Sequence, residues 1–175
     1  MDNVIALKSY LLKLKSLKRK GWVLRGISDT ESVADHSYSV SMLVMVMAEK
    51  LKLDTEECIK IALIHDLAES VVGDLTPFDD KYSKKKELED KAMTKIIEET
   101  GLLFIGQLWK EYMEQKTTEA KLVSDMDKIE MVIQALDYKR RYPEKNLDEF
   151  LVYVKGKLQL EDSMKLYEKL LRKGV

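Results

Sequence analysis

Only two histidines occur among the 175 residues, and each sits beside an aspartate: Asp35-His36 and His65-Asp66. Adjacent side chains on a helix diverge by about 100°, so an imidazole and a carboxylate at 65 and 66 can converge on one ion. Both histidines fall on apolar stripes, and burying an imidazole costs free energy unless its nitrogens find partners. Backbone carbonyls would satisfy them, as in an ordinary core histidine, and so would a divalent metal. Further on, Asp127 stands between Met126 and Lys128 in a long, mostly apolar stretch, a poor place for a carboxylate that faces no charge. By spacing alone Asp125 serves equally, and a solvated helix face suits either. The single cysteine, Cys58, excludes an internal disulfide framework and a multi-thiolate zinc site. Any metal chemistry here therefore rests on nitrogen and oxygen.

The elements that carry these residues read as helices throughout. Val4, Leu7, Leu11, Leu14 and Leu17 make the stripe of a first helix that should end near Lys20 and Gly21. After a connector over 21–30, Ser32 should cap a central helix running to about 51, with His36 on its apolar face. Asp54 and Glu57 resemble a capping box opening a third helix over 54–69, which would hold His65, Asp66 and Glu69 together. Gly73, Asp74 and Pro77 mark a loop. Ser83 should cap a charged helix ending at Gly101; a short helix surrounds Leu108, a long one covers 119–141, and two more span 147–156 and 160–172. No alternating run long enough for a strand appears, so the fold class is all-α.

Composition bounds the function. A chain of this length with 45% hydrophobic residues can build one core, and the expectation is a single domain over 1–175. Thirty basic against thirty-one acidic residues leave no positive excess to hold a polyanion, which argues against a nucleic-acid polymer as ligand. No apolar run approaches the roughly 20 residues that span a bilayer, and lysines 8, 13 and 15 interrupt the N-terminal leucines. The expectation is a cytoplasmic protein without a membrane partner, its lysine-studded first helix an ordinary solvated one. Leu147, Phe150, Leu151 and Leu158 on the C-terminal helices suggest an apolar face for a homodimer, although burial within one chain would explain them equally.

The longer strings carry a resemblance. Glu31-Ser32-Val33-Ala34-Asp35-His36, His65-Asp66-Leu67-Ala68-Glu69, Gly73-Asp74-Leu75-Thr76-Pro77, Glu119-Ala120-Lys121-Leu122-Val123 ahead of Asp127-Lys128-Ile129-Glu130, and Gly21-Trp22-Val23-Leu24-Arg25 occur in this order. Together they resemble HD-domain metal-dependent phosphohydrolases, in the branch of small proteins that act as 5′-deoxynucleotidases. The resemblance implies one HD-domain bundle of about six to eight helices, with the core motifs in 20–140 and helices in 147–172 completing it. It implies His36, His65, Asp66 and Asp127 as ligands of one divalent ion per chain, a set that suits Mn²⁺, Co²⁺, Fe²⁺, Ni²⁺ or Zn²⁺. Glu69 becomes the general base or orienter of the attacking water, and Asp74 the residue that settles the water or protonates the leaving 5′-oxygen. Trp22, Arg25, Thr76 and Pro77 become the substrate contacts, Arg25 offering a bidentate grip on phosphate. Here Gly21 precedes the tryptophan where some relatives carry arginine, with Arg19 and Lys20 just before it. Two other readings stay open: an HD phosphohydrolase for a cyclic nucleotide, a nucleoside triphosphate or a guanosine polyphosphate, and a non-catalytic helical interaction module with a vestigial metal site.

Overall fold

In the computed structural model, which describes residues 1–174, the N-terminal leucine stripe forms α1 (Asp2–Ser16). This helix ends earlier than its apolar spacing suggests. Leu17 turns extended, and residues 17–19 run antiparallel to 31–33: the Arg19 N–H donates to the Glu31 carbonyl at 3.1 Å and the Val33 N–H to the Leu17 carbonyl at 2.8 Å. The expected 21–30 connector is in part a second, short helix, α2 (Lys20–Leu24). Among the described residues an isolated bridge between Lys18 and Ser32 is the only β pairing.

The central helix α3 (Val33–Leu51) opens as expected on Ser32. Its hydroxyl accepts the Asp35 N–H at 3.1 Å while the Asp35 carboxylate accepts the Ser32 N–H at 2.8 Å, a reciprocal capping box. Asp35 is thereby committed to the helix end. α4 (Thr55–Ile64) starts on Asp54, whose carboxylate accepts the Glu57 N–H at 3.0 Å. It stops at Ile64, not near Glu69, because the chain tightens: Leu67 bonds back to Ile64 and Glu69 to Asp66, both at 3.0 Å, in three-residue steps. A new segment, α5 (Glu69–Val72), then begins.

Residues 82–84 form a 3-10 turn leading into α6 (Lys85–Thr100), so Ser83 does not cap it. Gly101, left-handed at φ 67°, ends it as expected. α7 (Leu103–Glu114) follows. α8 (Thr118–Arg141) begins on the Thr117 hydroxyl, which accepts the Ala120 N–H at 3.1 Å. α9 (Asp148–Tyr153) and α10 (Glu161–Lys173) finish the chain. Seven of the ten α-helices among the described residues have ten or more residues, matching the expected bundle; the short α9 is the helix expected over 147–156, and α2 and α5 are extra short turns.

The core lies where α3, α4 and α8 meet. Val40, Val44, Ile61, Leu122, Met126 and Ile129 are fully buried there, each such side chain contributing about 1.5–3 kcal/mol relative to exposure. A smaller cluster of Trp22, Ile27, Ala135, Tyr138 and Leu147 joins α2 to the end of α8. Leu147 and Leu158 are thus interior, and Phe150 and Leu151 are half-buried against the clusters. The C-terminal apolar residues are used within the chain, which removes the ground on which they suggested a homodimer face. No helix among the described residues is long and apolar enough to cross a membrane.

Candidate metal centre

His36 is the fourth residue of α3, and its imidazole is wholly buried. Its Nδ1 lies 2.5 Å from Glu130 Oε2, and its Nε2 lies 3.1 Å from Asp127 Oδ1 and 3.6 Å from Asp66 Oδ2. Asp127 and Glu130 are three residues apart on α8 and therefore share a face. His65 caps the end of α4, with Nδ1 2.7 Å from the Ala62 carbonyl. A carbonyl can only accept, so Nδ1 carries the proton and Nε2 presents a lone pair. That Nε2 is 3.3 Å from Asp66 Oδ2. Donor atoms of His36, His65 and Asp127 all lie within 4.8 Å of one another, a group able to hold a metal ion, and Asp66 Oδ2 lies beside both imidazoles, 3.6 Å and 3.3 Å from their Nε2 atoms.

Acidic and basic groups face each other in this pocket. Asp66, Glu69, Asp74, Asp127 and Glu149 border a cavity of about 330 Å³ together with Arg19, Arg25, Lys85 and Lys128. Burial and Arg19 act to lower the His36 pKa, but the hydrogen bonds with Asp127 and Glu130 outweigh them and push it up to about 10. Burial alone would raise Asp66 and Asp127, yet the imidazoles beside them hold both well below the ordinary carboxylate range. His65 Nε2, Asp66 Oδ2 and both Glu69 carboxylate oxygens are buried without a hydrogen-bond partner. Buried polar atoms are ordinarily satisfied, so the orphaned His65 nitrogen and Asp66 oxygen, 3.3 Å apart, fit a divalent cation with nitrogen and oxygen ligands.

Glu69 does not share a helix with His65; it opens α5 beyond the 65–68 turn. It nonetheless borders the cavity, nearly fully buried, with Lys85 Nζ 3.5 Å away. Burial, then the charges of Asp66 and Asp74, push its pKa well above the ordinary value. Asp74 leaves Gly73, whose φ of 82° and ψ of 167° only glycine adopts freely. Its Oδ2 accepts the Lys20 N–H at 2.6 Å and its Oδ1 lies 3.9 Å from the Arg19 guanidinium. Asp125 points elsewhere: both its oxygens accept the Gln159 N–H and one also accepts the Leu160 N–H, fastening the start of α10 to α8. Of the two aspartates that spacing leaves open, Asp127 borders the cavity beside His36 and Asp125 does not.

Trp22, Arg25, Thr76 and Pro77 all border the cavity. Trp22 is only 1% exposed, packed between Tyr138 and Phe150, with its indole N–H donated to Glu31 at 2.8 Å. Arg25 is gripped through two nitrogens by the Glu149 carboxylate and lies under the Phe78 ring at 5.0 Å. Thr76 bonds Asp79 through both its N–H and its hydroxyl, at 2.8 Å each. Sequence reasoning overlooked Arg19, 3.6 Å from Asp66, as well as Lys85, Glu31 and Glu130. Glu130 carried a signal, three residues from Asp127 on an apolar helix; Arg19 and Lys85 sit inside lysine-rich runs that read as solvated.

An all-helical bundle that gathers two histidines and two aspartates in this order defines the HD class. The HD domain family model matches residues 11–166, and the chain belongs to that family. The zebrafish (Danio rerio) protein named 5′-deoxynucleotidase HDDC2 is 39% identical, the match covering 97% of this chain and 87% of the relative. Its namesake in Dictyostelium discoideum is 42% identical over 81% of this chain and 80% of its own. Among solved structures, a conserved hypothetical protein from Pyrococcus furiosus superposes with a TM-score of 0.84 at 37% identity, covering 96% of this chain and 99% of its own. The PH0347 protein from Pyrococcus horikoshii reaches 0.80 at 30% identity over 97% of each chain.

Proposed function

We propose that the chain is a metal-dependent phosphomonoesterase that hydrolyses deoxyribonucleoside 5′-monophosphates to deoxynucleoside and phosphate. The observation that carries this is the grouping of His36, His65, Asp66 and Asp127 in a cavity bordered by a buried Glu69 whose carboxylate accepts no hydrogen bond. The relatives named 5′-deoxynucleotidase support the substrate class.

Those four residues would hold one divalent ion, with Mn²⁺, Co²⁺, Fe²⁺, Ni²⁺ and Zn²⁺ all compatible with the donor set. When bound, such an ion supplies Lewis-acid charge to phosphoryl oxygens and lowers the pKa of a water it holds. Glu69, its proton affinity raised by burial, accepts a proton from the water that attacks phosphorus. The new bond joins the water oxygen to phosphorus, and the bond to the 5′-oxygen breaks. Asp74, fixed by Lys20 and Arg19, orients that water or passes a proton to the departing 5′-oxygen. Arg19 and Lys85 offset charge gathering on the phosphoryl oxygens. Trp22 presents its apolar ring to the sugar, leaving no room for a 2′-hydroxyl, while Thr76 and Pro77 bound the nucleoside side. Arg25 contributes a phosphate contact only by exchanging its pairing with Glu149.

The test is release of inorganic phosphate from dAMP, dCMP and dTMP in Mn²⁺ or Co²⁺, against AMP, CMP and UMP. Faster turnover of the deoxy series is expected. No release from any of them refutes the reading.

A further inference from the structure

Behind His36, on the side away from the cavity, lies a second carboxylate group that none of the proposed catalytic steps uses. Glu130 is buried, and its Oε2 is 2.5 Å from His36 Nδ1. Donor atoms of Glu31, His36 and Glu130 lie within 4.8 Å of one another. Glu31 Oε1 accepts the Trp22 indole N–H at 2.8 Å, and the Glu31 backbone N–H donates to the Tyr138 hydroxyl at 2.8 Å. Both ends of Glu31 are therefore fixed.

This group fits positioning better than a second ion. An ion between Glu31 and Glu130 would have to take His36 Nδ1 away from a hydrogen bond of 2.5 Å in a dry interior. As a hydrogen-bond acceptor, by contrast, Glu130 fixes the tautomer that leaves His36 Nε2 free to face Asp127 and Asp66. Carboxylates behind a ligating imidazole orient the ring and raise its basicity. Trp22, 1% exposed, gives its N–H to Glu31.

We infer that Glu130 and Glu31 form a buried positioning chain from the Trp22 indole to His36, so that metal affinity depends on the aromatic wall of the cavity as well as on the ligands. This rests on the metal reading proposed above. It makes Trp22 serve two sites: its ring faces the substrate cavity and its N–H steadies the metal side. No hydrogen bond joins Glu31 to Glu130 among the described residues; with ligand atoms within 4.8 Å of one another, Glu31 acts on Glu130 through charge at close range in the buried interior.

The experiment measures Mn²⁺ affinity by titration calorimetry and the visible absorption of the Co²⁺-loaded protein, with thermal midpoints of the metal-free forms as a folding control. The variants are Glu130→Ala, Glu130→Gln, Trp22→Phe and the double variant Trp22→Phe/Glu130→Ala. Glu130→Ala should weaken Mn²⁺ binding roughly 10–100-fold and shift the Co²⁺ spectrum, with Glu130→Gln falling between it and the wild type. Trp22→Phe should weaken binding less, and should add nothing in the Glu130→Ala background. Where Glu130→Ala does not fold, the isosteric Glu130→Gln decides by the same two readouts. Unchanged affinity and spectrum in Glu130→Gln overturn the inference while leaving the metal reading intact. Additive losses in the double variant overturn the link to Trp22. Two ions bound to the wild type and one to Glu130→Gln would show a second ion site in place of a positioning chain. A wild type that binds neither ion overturns the metal reading and this inference together.

Discussion

The two walls of the cavity are built differently. The wall bearing His36, His65, Asp66 and Asp127 comes from α3, the end of α4 and α8, and each imidazole is backed by a buried acceptor, Glu130 or the Ala62 carbonyl. The opposite wall comes from α2, α9 and residues 75–82, and it is exposed where Arg25 is held: Phe78 is 69% exposed and the Glu149 side chain that grips Arg25 is 50% exposed. A ligand displaced by a fraction of an ångström loses its metal, so ligands belong on helices locked by packing. A nucleoside is held by several weak contacts, which short segments can supply. The comparison teaches that substitutions on the first wall should change whether the protein works, and those on the second how well it binds.

The largest effect that tests this division belongs to Glu69. Glu69→Gln keeps the shape but removes the group placed to accept a proton, and should lower kcat by roughly 10²–10⁴-fold with Mn²⁺ affinity unchanged in calorimetry. A variant that keeps wild-type turnover would remove Glu69 from the chemistry. Next comes Glu31, whose pKa is pushed up to about 7 by burial and then by the Glu130 charge. A raised folded-state pKa means that its contribution to stability is complete below the unfolded value near 4.5 and is lost as pH rises through about 7. The metal-free wild type should therefore lose up to about 3 kcal/mol from this one group between those limits, at 1.36 kcal/mol per unit. Glu31→Gln lacks the loss, and it still accepts the Trp22 N–H. Its thermal midpoint should exceed that of the wild type at pH 8 and approach it at pH 4.5; equal midpoints at both values would break the account. Gly73→Ala is smaller. No atom lies within 4 Å of the added carbon, so its cost is the backbone at φ 82°, about 1–3 kcal/mol in chemical denaturation. It should also loosen Asp74, lowering kcat more than it raises KM.

Much of the first wall was legible in the sequence, and much of the second was not, for physical reasons. The ligand candidates belong to scarce types in ordered strings, and helix ends with a side-chain signature, Ser32 with Asp35 and Asp54 with Glu57, are local hydrogen bonds that a sequence displays directly. The 65–69 turn left no trace, since its apolar residues keep helical spacing while the hydrogen bonds shorten to three residues. Arg19 was hidden for a different reason. Its place beside Asp66 and Asp74 depends on the pairing of residues 17–19 with 31–33, a contact too short for any periodic pattern. Phosphate recognition read from Arg25 overlooked Glu149, more than a hundred residues away in the chain.

Phe78 gives the finest test of the contrast because its side chain serves nothing in the core. It is largely exposed, borders the cavity, and covers the Arg25 guanidinium at 5.0 Å. An exposed cation–π contact is worth about 0.5–1 kcal/mol, and an exposed ion pair such as Arg25 with Glu149 contributes no more than that. Phe78→Ala should therefore lower the thermal midpoint by no more than about 4 °C, since about 1 kcal/mol moves a domain of this size by about 2–4 °C. Its effect should appear as a several-fold rise in KM for deoxynucleoside monophosphates at constant kcat, the pattern of binding lost equally from ground and transition states. A fall in kcat at constant KM would mean that Phe78 helps to form the reacting geometry. The exposed wall would then belong to the chemistry as fully as the buried one, and the division between the two walls would fail.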